Sequence, residues 1–104
     1  MVENKNTNLT NVAEKEIDLL GRHVEVLKTV QKHGPIGIIR LSKMTDQPQH
    51  MIRYSLRKLE NDGVIEPSPN GAMVTNKAAE TLESLEDSID ELTTTMKNLK
   101  SKLK

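Results

Sequence analysis

Val12, Ile17, Leu20, Val24, Leu27 and Val30 recur at helical intervals and predict an amphipathic helix over roughly residues 11–33. Asn11 followed by Glu14 has the spacing of a capping box, which places the helix start there. Gly21 leaves open whether the run is one helix or two. Gly34-Pro35 ends it, since Gly suits a left-handed cap and Pro cannot continue a helix. Ile36 reads as a short bridging strand, and Gly37 can cap a short helix over residues 38–44 with Leu41 turned inward. Thr45-Asp46-Gln47-Pro48 is turn chemistry, and Pro48 suits the first turn of a further helix. That helix is predicted to run to about residue 61, with Ile52, Leu56 and Leu59 inside and Gly63 as its stop. Residues 64–66 and 72–74 are two short extended runs around Ser68-Pro69-Asn70-Gly71, a hairpin loop by composition. Thr75 is expected to cap the last helix.

The strongest periodic signal comes last. Ala78, Leu82, Leu85, Ile89, Leu92, Met96, Leu99 and Leu103 alternate spacings of four and three without a break, a heptad pattern. A helix over residues 76–103 would be roughly 40 Å long. A domain this small cannot cover such a helix, so its far half is expected to need a partner.

Helix, strand, helix, turn, helix, hairpin, long helix is the element order of a winged helix-turn-helix domain. The expected fold is mainly α with a small β-wing (α+β), followed by a long C-terminal coiled-coil helix. Residues 1–10, polar and rich in Asn, are expected to be a disordered arm. Residues 11–75 would form the winged helix-turn-helix domain, and residues 76–104 a dimerisation helix.

Composition adjusts this picture. The chain has 104 residues, 35% of them apolar, and Tyr54 is its sole aromatic. A core of Leu, Ile, Val, Met and Ala buries modest area for that length, so oligomerisation is expected to add buried surface. The chain has no Cys, which excludes disulfides and thiolate zinc sites. No apolar run approaches the roughly 20 residues that span a bilayer. MVENKNTNLTN lacks the apolar stretch of a signal peptide, so a cytoplasmic protein is expected.

Net charge is zero, but the charges are segmented. Residues 1–21 carry −2, residues 22–58 carry +6, residues 60–91 carry −8 and residues 92–104 carry +4. A positive middle segment is what a phosphate backbone requires. The acidic block must face away from nucleic acid or pair with something basic.

The residues of the middle segment carry a family resemblance. Leu41-Ser42-Lys43, Ile52, and Leu56-Arg57-Lys58-Leu59-Glu60-Asn61-Asp62-Gly63-Val64-Ile65 resemble the helix-turn-helix and wing entry of MarR/ArsR-like winged-helix transcription regulators. Val74-Thr75-Asn76-Lys77-Ala78 is similar to the phrase that ends the wing in that group. The resemblance spans roughly residues 20–80. With the heptad helix added, the chain is most similar to archaeal-type members with a dimerising C-terminal helix. It implies double-stranded DNA as partner and transcription regulation as function. Two departures carry expectations of their own. Thr45 and Gln47 replace apolar turn residues, which predicts looser packing between the two helices. The turn at residues 68–71 has no Arg or Lys, which removes a charged wing contact.

On a helix over residues 48–61 packed through Ile52, Leu56 and Leu59, the opposite face presents Gln49, His50, Arg53, Tyr54 and Arg57. Gln can pair with adenine and Arg can grip guanine bidentately, so Gln49, His50 and Arg53 are candidate base readers. Tyr54 and Arg57 are candidate phosphate or sugar contacts. Arg40 and Lys43, on the preceding short helix, are candidates for flanking phosphates. The bland alternative for the whole face is a solvated polar helix surface. His23, His33 and His50 are expected to be ordinary surface histidines. His23 and His33 lie some 15 Å apart by helical rise, too far to share a metal. No cofactor and no catalytic constellation are expected, so the chain is not predicted to be an enzyme.

Leu82, Leu85, Ile89, Leu92, Met96, Leu99 and Leu103 are the expected dimerisation contacts. Acids fill the first half of this helix and lysines the second, which suits the helix dipole. The same layout favours an antiparallel homodimer, in which Glu86 meets Lys100 of the other copy. Two further roles compete with sequence-specific regulation. One is a winged-helix protein–protein adaptor, and the other is a non-specific architectural DNA protein, disfavoured by the absence of net positive charge.

Overall fold

The computed structural model describes residues 8–104. The elements are α1 (Asn8–His33), α2 (Ile38–Thr45), α3 (Gln49–Asn61), β1 (Ile65–Ser68), β2 (Gly71–Val74) and α4 (Lys77–Ser101). The protein is thus mainly helical with one two-stranded antiparallel sheet.

α1 is a single helix that passes straight through Gly21. Its described part already includes Asn8, three residues before the expected cap. Asn11 is therefore inside the helix, and its amide donates to Asn8 Oδ1 at 3.4 Å. Residues 8–10 of the expected disordered arm are helical, and residues 1–7 lie outside the described residues. Gly34 closes α1 by donating its N–H to the Val30 carbonyl. Ile36 then makes a two-hydrogen-bond bridge with Ala72, which ties the α1–α2 connection to the hairpin. Gly37 sits at the N-cap of α2, as expected.

The α2–α3 turn is held by local hydrogen bonds. Asp46 takes the left-handed conformation (φ 54°), which Asp tolerates, and its N–H caps Ser42 O. Thr45 is buried, and its hydroxyl donates to Leu41 O at 2.7 Å. Ser42 Oγ donates to Gln47 O at 2.5 Å. The hydroxyls of Ser42 and Thr45 thus satisfy local backbone carbonyls, which lets Thr45 be buried without an apolar side chain.

The core is one cluster. Val26, Leu27 and Val30 of α1 pack with Ile36, Leu41, Ile52, Leu56, Leu59, Val64, Ile65, Ala72 and Ala78. Full burial of each large aliphatic side chain contributes about 1.5–3 kcal/mol. Ile52, Leu56 and Leu59 face inward as expected. The α1 pattern is only half realised. Val12 and Ile17 are 70% and 62% exposed, because α1 projects past the ends of α2 and α3. Val26, not assigned to the inner face from sequence, is fully buried.

β1 starts one residue later than the sequence suggested and both strands run further into the loop, pairing Ile65 with Val74 through to Ser68 with Gly71. Gly71 (φ 122°) lies so close to the Ile36–Gly37 backbone that no side chain fits. Thr75 works as a joint at the start of α4: its hydroxyl donates to Gly63 O at 2.6 Å and accepts from the Lys77 N–H at 3.2 Å. α4 buries Ala78 and partly buries Leu82, then leaves the domain. The radius of gyration of 16.2 Å reflects this projection, since a compact domain of this length has about 13 Å. Among the described residues, no helix is long and apolar enough to cross a membrane.

Candidate nucleic-acid interface

α3 owes its position to its own sequence. Ile52, Ser55, Leu56 and Leu59 form a stripe at helical spacing that is buried against α1, α2 and the hairpin. The stripe leaves the opposite face outward. Gln49, His50, Arg53, Tyr54 and Arg57 are all exposed on that face. Pro48 precedes the first turn and accepts the N–H groups of Met51 and Ile52 through its carbonyl.

Arg40 and Lys43 of α2 are exposed too. They line one open depression of about 600 Å³ together with Gly37, Ile38, Ile39, Gln49 and Arg53. Four of the seven residues singled out from sequence thus meet at the α2–α3 junction. The other three meet on the far flank of α3. There His50, Tyr54 and Arg57 line a depression of about 560 Å³ with Arg53, Leu19, Arg22 and Met51. Arg53 belongs to both, so the outer face of α3 is a ridge between two basic hollows.

Arg22 was not singled out from sequence as a site residue. Its signal was present: it is the first base of the positive segment, one residue before a histidine on the α1 helix. What hid it was the assumption that His23 is a surface residue. The structure corrects this. His23 is buried between α1 and α3, with Nδ1 2.8 Å from Ser55 Oγ in a hydrogen bond. Its ring lies 5.9 Å from that of Tyr54, tilted by 33°. Burial pushes the His23 pKa below its ordinary 6.5, and the positive charges of Arg22 and Lys58 push the same way, against Asp62 and Glu16. His23 is therefore neutral around pH 7. Its polarity on the apolar stripe of α1 and that of Ser55 on the stripe of α3 are one signal: two misplaced polar residues that satisfy each other.

Tyr54 is half exposed, at the rim of the His23 contact and not in the core. The hairpin brings no positive charge to this face; Ser68 Oγ instead closes the turn by donating to Gly71 O and accepting from Asn70 N. Ile39, beside Arg40, is 62% exposed and adds an apolar spot to the first hollow.

The proposed dimer contacts occupy a different region. Leu82 and Leu85 are half-buried beside Val24, Ala79 and Ile89 in a groove between α1 and α4. Ile89, Leu92, Met96 and Leu99 are 45–57% exposed along one edge of the helix. Leu103 lies beyond the end of α4 and is more exposed still.

No protein-family model matches the chain. No curated protein matches it either. Among solved structures, it is similar to the activation domain of the phage T4 transcription factor MotA. The TM-score is 0.50 at 21% identity, over 67% of this chain and 81% of that one. At that identity the likeness shows the fold alone.

Proposed function

We propose that the chain is a small winged helix-turn-helix transcription regulator that binds double-stranded DNA sequence-specifically as a homodimer. In this reading it works by binding, not catalysis. The observation that carries the proposal is the outer face of α3. It presents Gln49, His50 and Arg53 in its first half, where a recognition helix reads bases, with Arg40 and Lys43 alongside. The hairpin, with an uncharged turn and Glu66 as its one charged residue, leaves base reading to α3. The unpartnered heptad edge of α4 supports a second copy, since Ile, Leu and Met side chains left half exposed gain from mutual burial.

The test is selection from a random duplex pool, followed by titration of the selected duplex at two salt concentrations. Enrichment of a sequence, with binding that weakens as salt rises, is expected. Arg53→Ala should reduce discrimination between selected and scrambled duplexes by roughly 1–3 kcal/mol. Arg57→Ala should weaken both duplexes about equally. No enrichment, or equal affinity for every sequence at low salt, counts against the reading.

A protein–protein adaptor is the second reading, and exposed Ile39 on the would-be DNA face is the observation that favours it. An adaptor would use that apolar spot as a contact. Ile39→Lys would then abolish partner binding, whereas in the DNA reading it leaves duplex affinity equal or stronger.

A further inference from the structure

We propose that the hollow between α1 and α3 is a phosphate-binding site centred on Arg22 and Arg57, with the base-reading Arg53 at its rim. It takes a backbone phosphate of the DNA strand opposite to the one reached by Arg40 and Lys43. The DNA assignment rests on the function proposed above; the phosphate site itself does not.

The lining is Leu19, Arg22, His50, Met51, Arg53, Tyr54 and Arg57, with three guanidinium groups and no carboxylate. Among the described residues, none of these arginines takes part in an ion pair. Arg22 is the informative member. Its Nε is buried and has no hydrogen-bond partner. A buried donor without a partner is unfavourable, because it has given up its hydrogen bond to water for nothing. The Nε edge of a guanidinium, together with one terminal nitrogen, is the fork that grips two oxygens of a phosphate. A phosphate in the hollow meets the Arg22 and Arg57 guanidinium groups, and a turn of the Arg22 side chain toward it would give the Nε–H the partner it lacks.

The site is also preorganised. Arg22 is adjacent to His23, which is hydrogen-bonded to Ser55 of α3, and one turn before Val26, which is fully buried. The backbone carrying Arg22 is therefore locked to the helix that carries Arg53 and Arg57.

The position selects a duplex over a loose anion. A helix lying in the major groove, about 12 Å wide, has a sugar–phosphate strand along each flank. The two hollows lie on the two flanks of α3 and share Arg53. Arg40 and Lys43 serve one flank. Arg22 is the base supplied to the other by a separate element, and through it α1 joins the DNA-contacting surface.

The test uses the full chain, with Arg22→Gln and Arg22→Lys as variants and thermal melts as the folding control. Fluorescence anisotropy would follow binding to the selected and scrambled duplexes from about 50 to 200 mM salt. In parallel, pyrophosphate would be titrated into the DNA-free chain while the arginine Nε–H resonances are followed by NMR. Arg22→Gln is expected to lower the salt slope by about two, one for each copy of the homodimer, and to weaken both duplexes roughly 25-fold, about 5-fold per copy. Their ratio should stay unchanged, and Arg22→Lys should keep the slope. Pyrophosphate should shift the Arg22 Nε–H resonance. If the wild type binds no duplex but pyrophosphate still shifts Arg22, the DNA function fails and the phosphate site stands. A pyrophosphate response with an unchanged salt slope assigns the site to a free phosphorylated ligand and overturns the DNA assignment. The absence of both a resonance shift and a slope change overturns the site.

Discussion

His23 and Ser55 form a polar contact inside an otherwise aliphatic core, and its consequence is a pH-dependent stability. In the folded chain the His23 pKa lies below 6.5, whereas in the unfolded chain it returns to about 6.5. As pH falls through that interval the unfolded state takes up a proton that the native state refuses, so stability drops. Above about 6.5 both states are neutral and the contribution is complete. Urea denaturation of the wild type is expected to show stability falling from pH 7 toward about pH 5. His23→Gln should be less stable at pH 7 by about 1–2 kcal/mol, because Ser55 loses its partner and the core its ring. It should also show a shallower decline over the same interval; an identical pH dependence would refute the assignment to His23. This residue was the least legible in the sequence. A lone histidine at helical spacing reads as surface, and only the matching Ser55 on a second stripe exposes the pair. The α3 residues were legible for the opposite reason. Ile52, Leu56 and Leu59 fix the inner face unaided, so the outward placement of Gln49, Arg53 and Arg57 follows.

At the scale of elements, the hairpin and the α1–α2 connection are held to each other by the backbone, and Gly71 is the point of contact. Ile36 and Ala72 exchange two hydrogen bonds, at 3.1 and 2.8 Å, immediately beside it. A Cβ on Gly71 would overlap the Ile36 carbonyl and lie 2.8 Å from Gly37 N. Neither is a side chain that can turn away, and φ is 122°. Gly71→Ala is therefore expected to cost about 2 kcal/mol or more, through strain and a displaced bridge. Chemical denaturation measures it directly, and a loss below about 0.5 kcal/mol would show that the hairpin can move off Ile36. The sequence suggested both the Ile36 bridge and a loop at Ser68-Pro69-Asn70-Gly71. What it did not carry was that the two touch, which is a property of three-dimensional approach and not of spacing. The same limit explains Val12 and Ile17. Their spacing is helical and the helix exists, but periodicity does not say whether a neighbour reaches that far along it. Thr45 is the converse case: a polar residue that is buried, with a carbonyl one turn back to accommodate its hydroxyl.

At the scale of the molecule, α4 decides what a second copy would have to look like. Its 25 residues span about 37 Å, and only the first turns are covered by the chain's own α1. The groove beside those turns is lined by Val24, Ala79, Leu82, Leu85 and Ile89, with Glu83 and Glu86 at its edge. In an antiparallel pair with Ile89 opposite the second copy's Leu92, heptad spacing brings that copy's Met96 and Leu99 alongside Leu85 and Leu82. Its Lys97 and Lys100 then approach Glu83 and Glu86. The groove is filled and the two charge blocks offset each other. A parallel pair would instead set the lysine-rich ends side by side and the acidic first halves side by side. Each exposed ion pair is worth well under about 1 kcal/mol, so charge selects the orientation while apolar burial supplies the association. Because the chain has no cysteine, Glu86→Cys and Lys100→Cys each introduce a single thiol. Mixed in equal amounts and oxidised, they are expected to form the 86–100 disulfide well above either symmetric product. Preferential 86–86 linkage would establish the parallel arrangement, and no linkage at concentrations that saturate DNA binding would argue that the chain binds as a monomer.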